Sequence, residues 1–570
     1  MTESTVAIIG AGPGGAVAAL TLTALGHKAV VYEKAPMPRY RVGESLLPGT
    51  LSVLQRLGLK ERIDAAGFVT KPSATFLWGQ GEVPWTFSFS APQVQPWVYD
   101  HALQVLREDF DSLVVDEARA RGVTVNVGTA VTDVDLGSPD SVTVHYRDAD
   151  GPASAEYDFV IDAGGVGSPL ARKLGVRRYD EYFKNFAVWN YYRMADPFEN
   201  DLKGTTYTIS FEDGWVWMIP LKGDLYSVGL VVDRSKNEEV RELGPDEFFR
   251  RHIRKADRAM ALLGDSEIVG ETRIVHDWSY DSETFSAGRY FLSGDAAAFT
   301  DPMFSQGIHL AVQSAVSAAS AIDRISGNPP ERDAVHAWYN RSYRDVYEQY
   351  HEFLSSFYTF ASYTEPDSVF WRQRRVEESD DERFDRMRWF ERITGEARAA
   401  SRPVADFRDR AAAMIEIGRH QRGHLSDEFA DDELNPARVR WVSQLTRQLH
   451  RIAAFEWTGE QVALKEHYAI DPLTFELRPV LVLADETGRD MVKWPISPEQ
   501  LPLFERVASE GIGYRELLAD LNSAGMNEIS SQVIIRLMEA GLLRGRDRHG
   551  ERVVVQDRLR FGGVGVEYDV

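Results

Sequence analysis

Three groups of residues in this chain have the types and spacing that could do chemistry. The first is the turn Gly10-Ala11-Gly12-Pro13-Gly14-Gly15, followed by Glu33 and Lys34 at about the 20-residue interval of a dinucleotide fingerprint. Gly10 permits a tight turn, Gly12 lets backbone approach a pyrophosphate, and Gly15 lets a helix pack on a sheet. The N–H groups of the helix that starts at Pro13 would face the phosphates. A carboxylate at Glu33 accepts both ribose hydroxyls and repels a 2′-phosphate, which selects FAD or NAD over NADP. The second group is Lys71, in Lys71-Pro72-Ser73-Ala74-Thr75-Phe76-Leu77-Trp78-Gly79. Most lysines are solvated, but burial lowers the pKa of an amine and makes it a nucleophile near neutral pH. The third is the pair Trp215 and Trp217, whose spacing puts both indoles on one face of a strand. Side by side they form either a cavity wall or ordinary packing.

The elements that must position these groups are legible around them. Val6–Ile9 reads as a strand, Ala16–Leu20 as a helix and Lys28–Tyr32 as a second strand. Tyr157–Ile161 is a strand entering Asp162-Ala163-Gly164-Gly165. Arg289–Ser293 is another, entering Gly294-Asp295-Ala296. A buried strand ending in Gly-Asp puts a carboxylate at the carboxyl edge of the sheet, where ligands bind. Asp295 there suits ribityl hydroxyls. Asp301-Pro302-Met303-Phe304-Ser305-Gln306-Gly307-Ile308 then leads into a helix over His309–Ile322, whose N-terminus faces something electron-rich. There is one GxGxxG with strand context, which argues against a separate nicotinamide domain.

In that order and context these motifs resemble the FAD-dependent aromatic hydroxylase fold. Within it, Gly214-Trp215-Val216-Trp217-Met218-Ile219-Pro220 matches the WxWxIP signature of the flavin-dependent halogenases. The Lys71 segment, Arg41-Val42-Gly43-Glu44-Ser45 and Val105-Leu106-Arg107-Glu108-Asp109-Phe110-Asp111 resemble further stretches of that family. The resemblance covers roughly residues 6–320. It implies an α/β, Rossmann-type FAD-binding domain of the aromatic-hydroxylase kind, with a substrate β-sheet. It places FAD on Gly10, Gly12, Pro13, Gly15, Glu33, Lys34, Arg41, Ser45, Arg107, Asp162, Asp295, Pro302, Gly307 and Ile308.

In a hydroxylase, flavin-activated oxygen passes directly to a substrate lying against the flavin. In the halogenases, chloride intercepts that oxygen and hypochlorous acid results. Trp215 and Trp217 would then fill the hydroxylase's substrate space. The Gln306 and Gly307 amides would hold chloride, by position in the family's motif. Lys71 would hold hypochlorous acid as an ammonium or react with it as a neutral amine. Glu44 would orient a substrate or flavin group, or make a structural hydrogen bond. The strand before Gly294-Asp295 runs beside the flavin's outer edge in this fold. His276 or Asp277 is therefore a candidate for covalent attachment, with Asp277 preferred.

Composition bounds the remainder. The chain has 570 residues, 44% hydrophobic and 26% charged, ordinary for a globular protein of several domains. It has no cysteine, which excludes disulfides, iron–sulfur clusters, thiolate metal sites and a cysteine nucleophile, and no metal is expected. A net charge of −23 opposes binding to nucleic acid or an anionic membrane. No basic n-region precedes Val6–Ile9 and no apolar run reaches bilayer length, so the expected location is cytoplasmic. The expected organisation is an FAD-binding domain of residues 1–70, 98–180 and 270–330, and a substrate sheet domain of 71–97 and 181–269. A helical region over 331–456, with an aromatic stripe from Trp338 to Tyr363 that is mainly core, precedes a winged-helix-like domain over 457–570.

That long C-terminal extension resembles halogenases of antibiotic biosynthesis. It implies an acyl substrate, the dichloroacetyl group of an antibiotic precursor held on a carrier protein, and a separate flavin reductase as partner. Three rivals remain from the sequence: an aromatic hydroxylase, a flavoprotein regulator using the winged helix on DNA, and a geranylgeranyl-reductase-like flavoprotein. The third winged-helix helix, near 528–540, carries no basic cluster, which disfavours DNA. The reductase reading leaves Lys71 and WxWxIP without a reason.

Overall fold

The computed structural model describes residues 3–375, except 39, 80–84, 90–98, 199–201, 276–277 and 366. Beyond these it describes 445–457, 463–484, 490–496, 511–523, 543–553 and a few single positions. The chain divides into two compact units, one built mainly from residues 1–396 and the other mainly from 427–471 and 477–570.

In the first unit, a six-stranded sheet runs in the order Ser286–Ala287, Tyr290–Leu292, Phe159–Asp162, Thr5–Ile9, Lys28–Glu33, Thr124–Val127. The last five strands are parallel. The apolar run Val6–Ile9 lies in the middle, as a strand buried on both faces must. The helix Pro13–Ala24 follows it, longer at both ends than the predicted Ala16–Leu20 because Pro13 is pre-set for a first helical turn. The Tyr157–Ile161 strand is observed at Phe159–Asp162, because Tyr157 ends the preceding antiparallel hairpin. The helix expected from His309 starts at Gln306 and runs to Gly327. Gln306 and Gly307 are therefore its first two residues, where N–H groups have no intrahelical acceptor.

An eight-stranded sheet carries the rest of the site. Its order is Glu267–Val275, Arg177–Arg193, Leu225–Asp233, Gly214–Leu221, Thr206–Phe211, Ser73–Leu77, Trp85–Ser88, with Trp278–Ser282 paired to the start of Arg177–Arg193. Alternation along the strands divides two faces. Ile209, Val216, Leu230 and Val188 lie opposite one another across four strands. They pack with Phe248 and Phe249 of the helix Pro245–Ile253. The other face holds the row Thr208, Trp217, Gly229, Trp189, Arg273. The long helix Arg332–Thr364 buries its aromatic stripe at Trp338, Tyr339, Tyr343, Tyr347, Tyr350 and Phe357, so these are core as expected.

The second unit contains two three-stranded sheets. Ala463–Ile470, Leu477–Ala484 and Asp490–Ile496 form an antiparallel one that the sequence reading did not anticipate. The expected wing is present as the hairpin Leu543–Arg546 with Arg552–Val553, and Tyr514–Ser523 is a helix. Most of the two other expected helices lie outside the described residues. Ala454–Trp457 is a strand paired with Leu543–Arg546, so the boundary placed at 456 falls inside a sheet. Among the described residues no helix is long and apolar enough to cross a membrane.

Gly229 is the constraint on the functional face. A Cβ there would stand 2.1 Å from Cζ2 of Trp217, so the indole occupies the volume a side chain would need. Gly229→Ala is expected to displace Trp217 and destabilise the protein by about 1–3 kcal/mol, through overpacking. Urea denaturation followed by tryptophan fluorescence checks it; an unchanged midpoint with an unchanged spectrum would contradict it.

Candidate active site

The dinucleotide end is built by close approaches of backbone. A Cβ on Gly15 would lie 1.9 Å from the Gly10 carbonyl oxygen, and one on Gly10 would lie 2.6 Å from the Ala163 oxygen. No side chain at those two positions is compatible with the turn. The helix Pro13–Ala24 has Gly12 at its N-cap, no side-chain cap and no acid in its first turn, which leaves its N–H groups to an anion. Glu33 is buried and takes one backbone N–H on each oxygen, from Ala11 at 2.8 Å and Ala35 at 2.9 Å. It thereby ties the second strand to the glycine turn. Lys34 Nζ lies 3.3 Å from the Cβ position of Gly167, beside the Gly164–Gly167 turn.

Asp162 organises that turn. Its oxygens accept from the Gly164 N–H (2.8 Å), the Ser168 hydroxyl (2.5 Å) and the Leu170 N–H (3.1 Å). Asp295 is partly open. Burial pushes its carboxyl up to about 6, against Arg107 and Arg177. Arg107 is itself held by a two-pronged pair with Asp111, at 2.8 and 3.0 Å, and donates to the Val42 carbonyl at 2.5 Å. Arg177 Nε is buried without a hydrogen bond, which suits a polar ligand beside Asp295. These residues fit FAD.

The candidate lysine, Lys71, is buried. Val69–Lys71 pairs with one side of Ala102–Gln104, and the Glu44–Leu46 segment pairs with the other. Lys71 reaches across: its Nζ donates to the Leu46 carbonyl at 3.1 Å and lies 5.2 Å from the Phe89 ring centroid. Burial lowers its pKa to about 7, and no carboxylate among the described residues offsets the effect. Glu44, two residues before Leu46, is equally buried. The Tyr191 hydroxyl donates to its Oε1, while Oε2 has no hydrogen bond of ordinary geometry. Burial pushes Glu44 up to about 7, against the nearby Tyr191 and Ser227 hydroxyls and, further off, Arg107 and Arg273. Ser45 is spent on packing the segment down, with its hydroxyl 2.9 Å from that of Thr206.

The two tryptophans are both buried on the functional face, ring centroids 6.2 Å apart. Trp217 Nε1 donates to Ser227 Oγ at 3.2 Å, and Trp215 Nε1 donates to the Tyr358 hydroxyl at 2.7 Å. The turn expected to hold the halide lies at the start of Gln306–Gly327. Asp301 caps the short turn Pro302–Phe304 by accepting the Met303 N–H, and Ser305 adopts a left-handed conformation before the helix. The Gln306 side chain folds back onto Thr300 Oγ1 (2.7 Å) and the Asp301 carbonyl (2.5 Å). No side chain caps the helix and its first turn has no acid, so an anion can use its amides. Ile308 is buried beneath them and Pro302 is half-buried.

Two expectations fare differently. Arg41 is exposed, donating to the carbonyl of Tyr40, and the structure does not bring it into the cluster. His276 and Asp277 lie outside the described residues. The sequence reading missed several residues. Tyr40 stacks on Trp189 at 5.1 Å, with the Arg273 guanidinium 3.7 Å from the Tyr40 ring centroid. Tyr191 holds Glu44, and Asn185, Tyr358 and Arg374 surround Asp301. Alternation along Arg177–Arg193 put Asn185, Trp189 and Tyr191 on one face; no local signal marked Tyr358 or Arg374.

The family models agree with this geometry. Residues 3–350 match the FAD binding domain, and residues 441–558 match the chloramphenicol halogenase CmlS C-terminal domain. A tryptophan 2-halogenase of Chondromyces crocatus is 30% identical over 384 residues, 66% of this chain and 71% of that protein. The crystal structure of CmlS, a flavin-dependent halogenase, shares 60% identity and a TM-score of 0.79, covering 99% of this chain and all of that one. The myxobacterial chondrochloren halogenase CndH shares 30% identity and a TM-score of 0.63, over 74% of this chain and 97% of that one.

Burial of Lys71 makes opposite demands on stability and activity. Its folded pKa lies below its unfolded value of 10.5. The unfolded state therefore binds the extra proton between about pH 7 and 10.5, and the penalty on folding grows as pH falls through that window. At pH 7 the penalty is roughly 4–5 kcal/mol before relaxation. Lys71→Met is expected to raise stability by about 2–4 kcal/mol at pH 7, with the gain shrinking as the pH rises from about 7 toward 10.5, while abolishing halogenation and keeping FAD. Denaturant midpoints across pH check this. A Met variant less stable than the parent, or one that loses FAD, would make the lysine a structural element.

Proposed function

The chain belongs to the flavin-dependent halogenases, and from that premise we propose that Lys71 carries the oxidised halogen to an acyl substrate tethered to a carrier protein. One observation carries the reading: an amine buried without a counter-charge among the described residues, its pKa brought to about 7, beside a segment that also holds a buried carboxyl. FAD, reduced and bound in the site, supplies the activation of oxygen. The Gln306 and Gly307 amides hold chloride at the positive end of their helix. Trp215 and Trp217, buried with ring centroids 6.2 Å apart, would keep substrate and water away from the bound flavin. The neutral amine of Lys71 attacks the chlorine of hypochlorous acid. An N–Cl bond forms, the Cl–O bond breaks, and hydroxide leaves to take the amine proton as water. A carbon nucleophile then takes the chlorine from nitrogen: a C–Cl bond forms, the N–Cl bond breaks, and the proton lost by the carbon acid returns the nitrogen to the neutral amine. The ammonium form would instead hydrogen-bond the hypochlorous acid; chlorination that falls with pH above 7 would favour that route, and one that rises favours the amine.

The acyl substrate and the carrier rest on likeness to CmlS, whose C-terminal domain model matches residues 441–558. Covalent flavin through Asp277 or His276 is part of the same proposal. Reduced flavin is expected to come from a separate reductase, as such halogenases generally require. With a reductase, oxygen and chloride, the protein should chlorinate monochlorodimedone, and alone it should not oxidise NADH or NADPH at the rate of turnover. Oxygen incorporation with no need for chloride would establish the hydroxylase alternative. Acid-denatured protein should retain its yellow colour and carry the mass of FAD; colour released entirely to the supernatant refutes covalent attachment.

A further inference from the structure

Two neighbouring residues of the long helix Arg332–Thr364 stand between the halide turn and the functional face of the sheet. Phe357 packs on Phe304, in the turn, at 4.8 Å between ring centroids, and on Phe76, in the sheet, at 5.8 Å. Its carbonyl accepts the Trp78 indole N–H at 3.0 Å. Tyr358, next along, is fully buried. Its hydroxyl accepts from Trp215 Nε1 at 2.7 Å and donates to Asp301 Oδ2 at 2.6 Å. That hydroxyl thus joins the indole of the tryptophan signature directly to the residue that opens the halide turn.

Asp301 is held from a second side. Asn185 Nδ2 donates to the same Oδ2 at 3.0 Å, and buried Arg374 fixes Asn185 through its Oδ1 at 2.5 Å and reaches Asp233 at 2.7 Å. The Asp301 backbone carbonyl in turn accepts from the side chain of Gln306. Apart from the contact to half-buried Asp233, these bonds lie between buried groups, where geometry is fixed and an unmade bond is costly. The consequence is mechanical. If the hydroxyl is removed, Trp215 loses its acceptor and Asp301 loses a donor, and the turn and wall are no longer tied through Tyr358.

We propose that Tyr358 is a positioning residue for halide: it sets the gap between the Trp215 wall and the turn that presents the Gln306 and Gly307 amides, and so helps choose the halide admitted. The proposal rests on the reading that those amides hold the halide. Tyr358 does not touch the reacting atoms; it acts through Asp301 and Trp215.

The test titrates chloride and bromide against the FAD-loaded full-length protein, reading the flavin absorbance and fluorescence, and measures halide KM and kcat in parallel. Tyr358→Phe is expected to weaken chloride about tenfold. It should weaken bromide, the larger ion, by less, so the preference between the halides narrows, while kcat at saturating halide and FAD content stay near wild type. A merely structural role would lower the melting temperature without moving the halide ratio. Chloride and bromide constants both within twofold of wild type would overturn the proposal. If Y358F does not fold, Asn185→Leu removes the other side-chain donor to Asp301 and is read by the same ratio. The underlying reading has its own control. A Cβ at Gly307 meets nothing within 4 Å, so Gly307→Asp is tolerated by the fold and puts a carboxylate at the amides. If G307D binds chloride like wild type, the halide is elsewhere, whatever Y358F does.

Discussion

An amine sealed from water, with no carboxylate against it among the described residues, is the feature on which the rest of this structure depends. Water solvates an ammonium far better than one carbonyl and one aromatic ring can. Lys71 is offered the Leu46 oxygen and the Phe89 ring, and its proton becomes labile near pH 7. Such a site survives only where surrounding structure over-determines it. The strand Ala102–Gln104 pins Lys71 on one side and the Glu44–Leu46 segment on the other. That segment is stapled to the sheet at Ser45–Thr206 and Glu44–Tyr191. The second buried group, Glu44, is pushed toward the same pH from the opposite direction. A lysine and a glutamate that each exchange a proton near neutrality suit a site that must hold and release protons without importing water.

The eight-stranded sheet divides labour by its pleat. One face is a saturated apolar core under the helices at 237–263, and it resists change because it is close-packed. The other carries Trp189, Tyr191, Trp215, Trp217 and Ser227, where the Tyr191 hydroxyl and the indoles of Trp215 and Trp217 each donate to a neighbour, while Trp189 Nε1 is buried without a hydrogen bond. Gly229 lets these faces coexist. Its missing side chain gives Trp217 room to lie flat across two strands, which a residue of any other type would deny.

The parallel sheet and the dinucleotide turn were legible in sequence because each glycine answers to a local steric demand. Gly10 and Gly294 hold positive φ angles and Gly15 abuts Gly10 five positions back, demands that a local motif records, although the atoms that crowd Gly10 and Gly294 come from Ala163 and Ala311. Lys71 and the tryptophans were legible as types at a spacing. That burial rather than a charged partner tunes the lysine was not, since burial arises from strands joined at a distance. Tyr358 and Arg374 were invisible for the same reason. They sit in a helix and a short turn whose local pattern says only that they are buried. Their partners Trp215, Asn185 and Asp301 lie from 57 to 189 residues away in sequence. The sheet at 463–496 escaped notice because strand alternation there is broken by a proline and by charged residues on both faces.

The acidity of the whole chain poses a problem that the site's local charges resolve. A protein of net charge −23 should repel chloride, yet fields from exposed charges fade over about 10 Å in physiological salt. What the ion meets is the local balance. The three carboxyls around the pocket, Glu44, Asp295 and Asp301, are all held above their ordinary values by burial, so each resists full ionisation. The guanidinium groups of Arg107 and Arg177 act on Asp295, and that of Arg374 on Asp301, each favouring the ionised carboxylate. Asp301, the carboxyl closest in sequence to the halide turn, has its oxygens occupied by the Tyr358 hydroxyl, the Asn185 amide and the Met303 N–H. Its charge is thereby drawn toward those donors and away from the helix end. The hydrogen bonds that position the turn are the same ones that blunt the charge most able to expel the halide, which is why position and electrostatics cannot be altered separately at Tyr358.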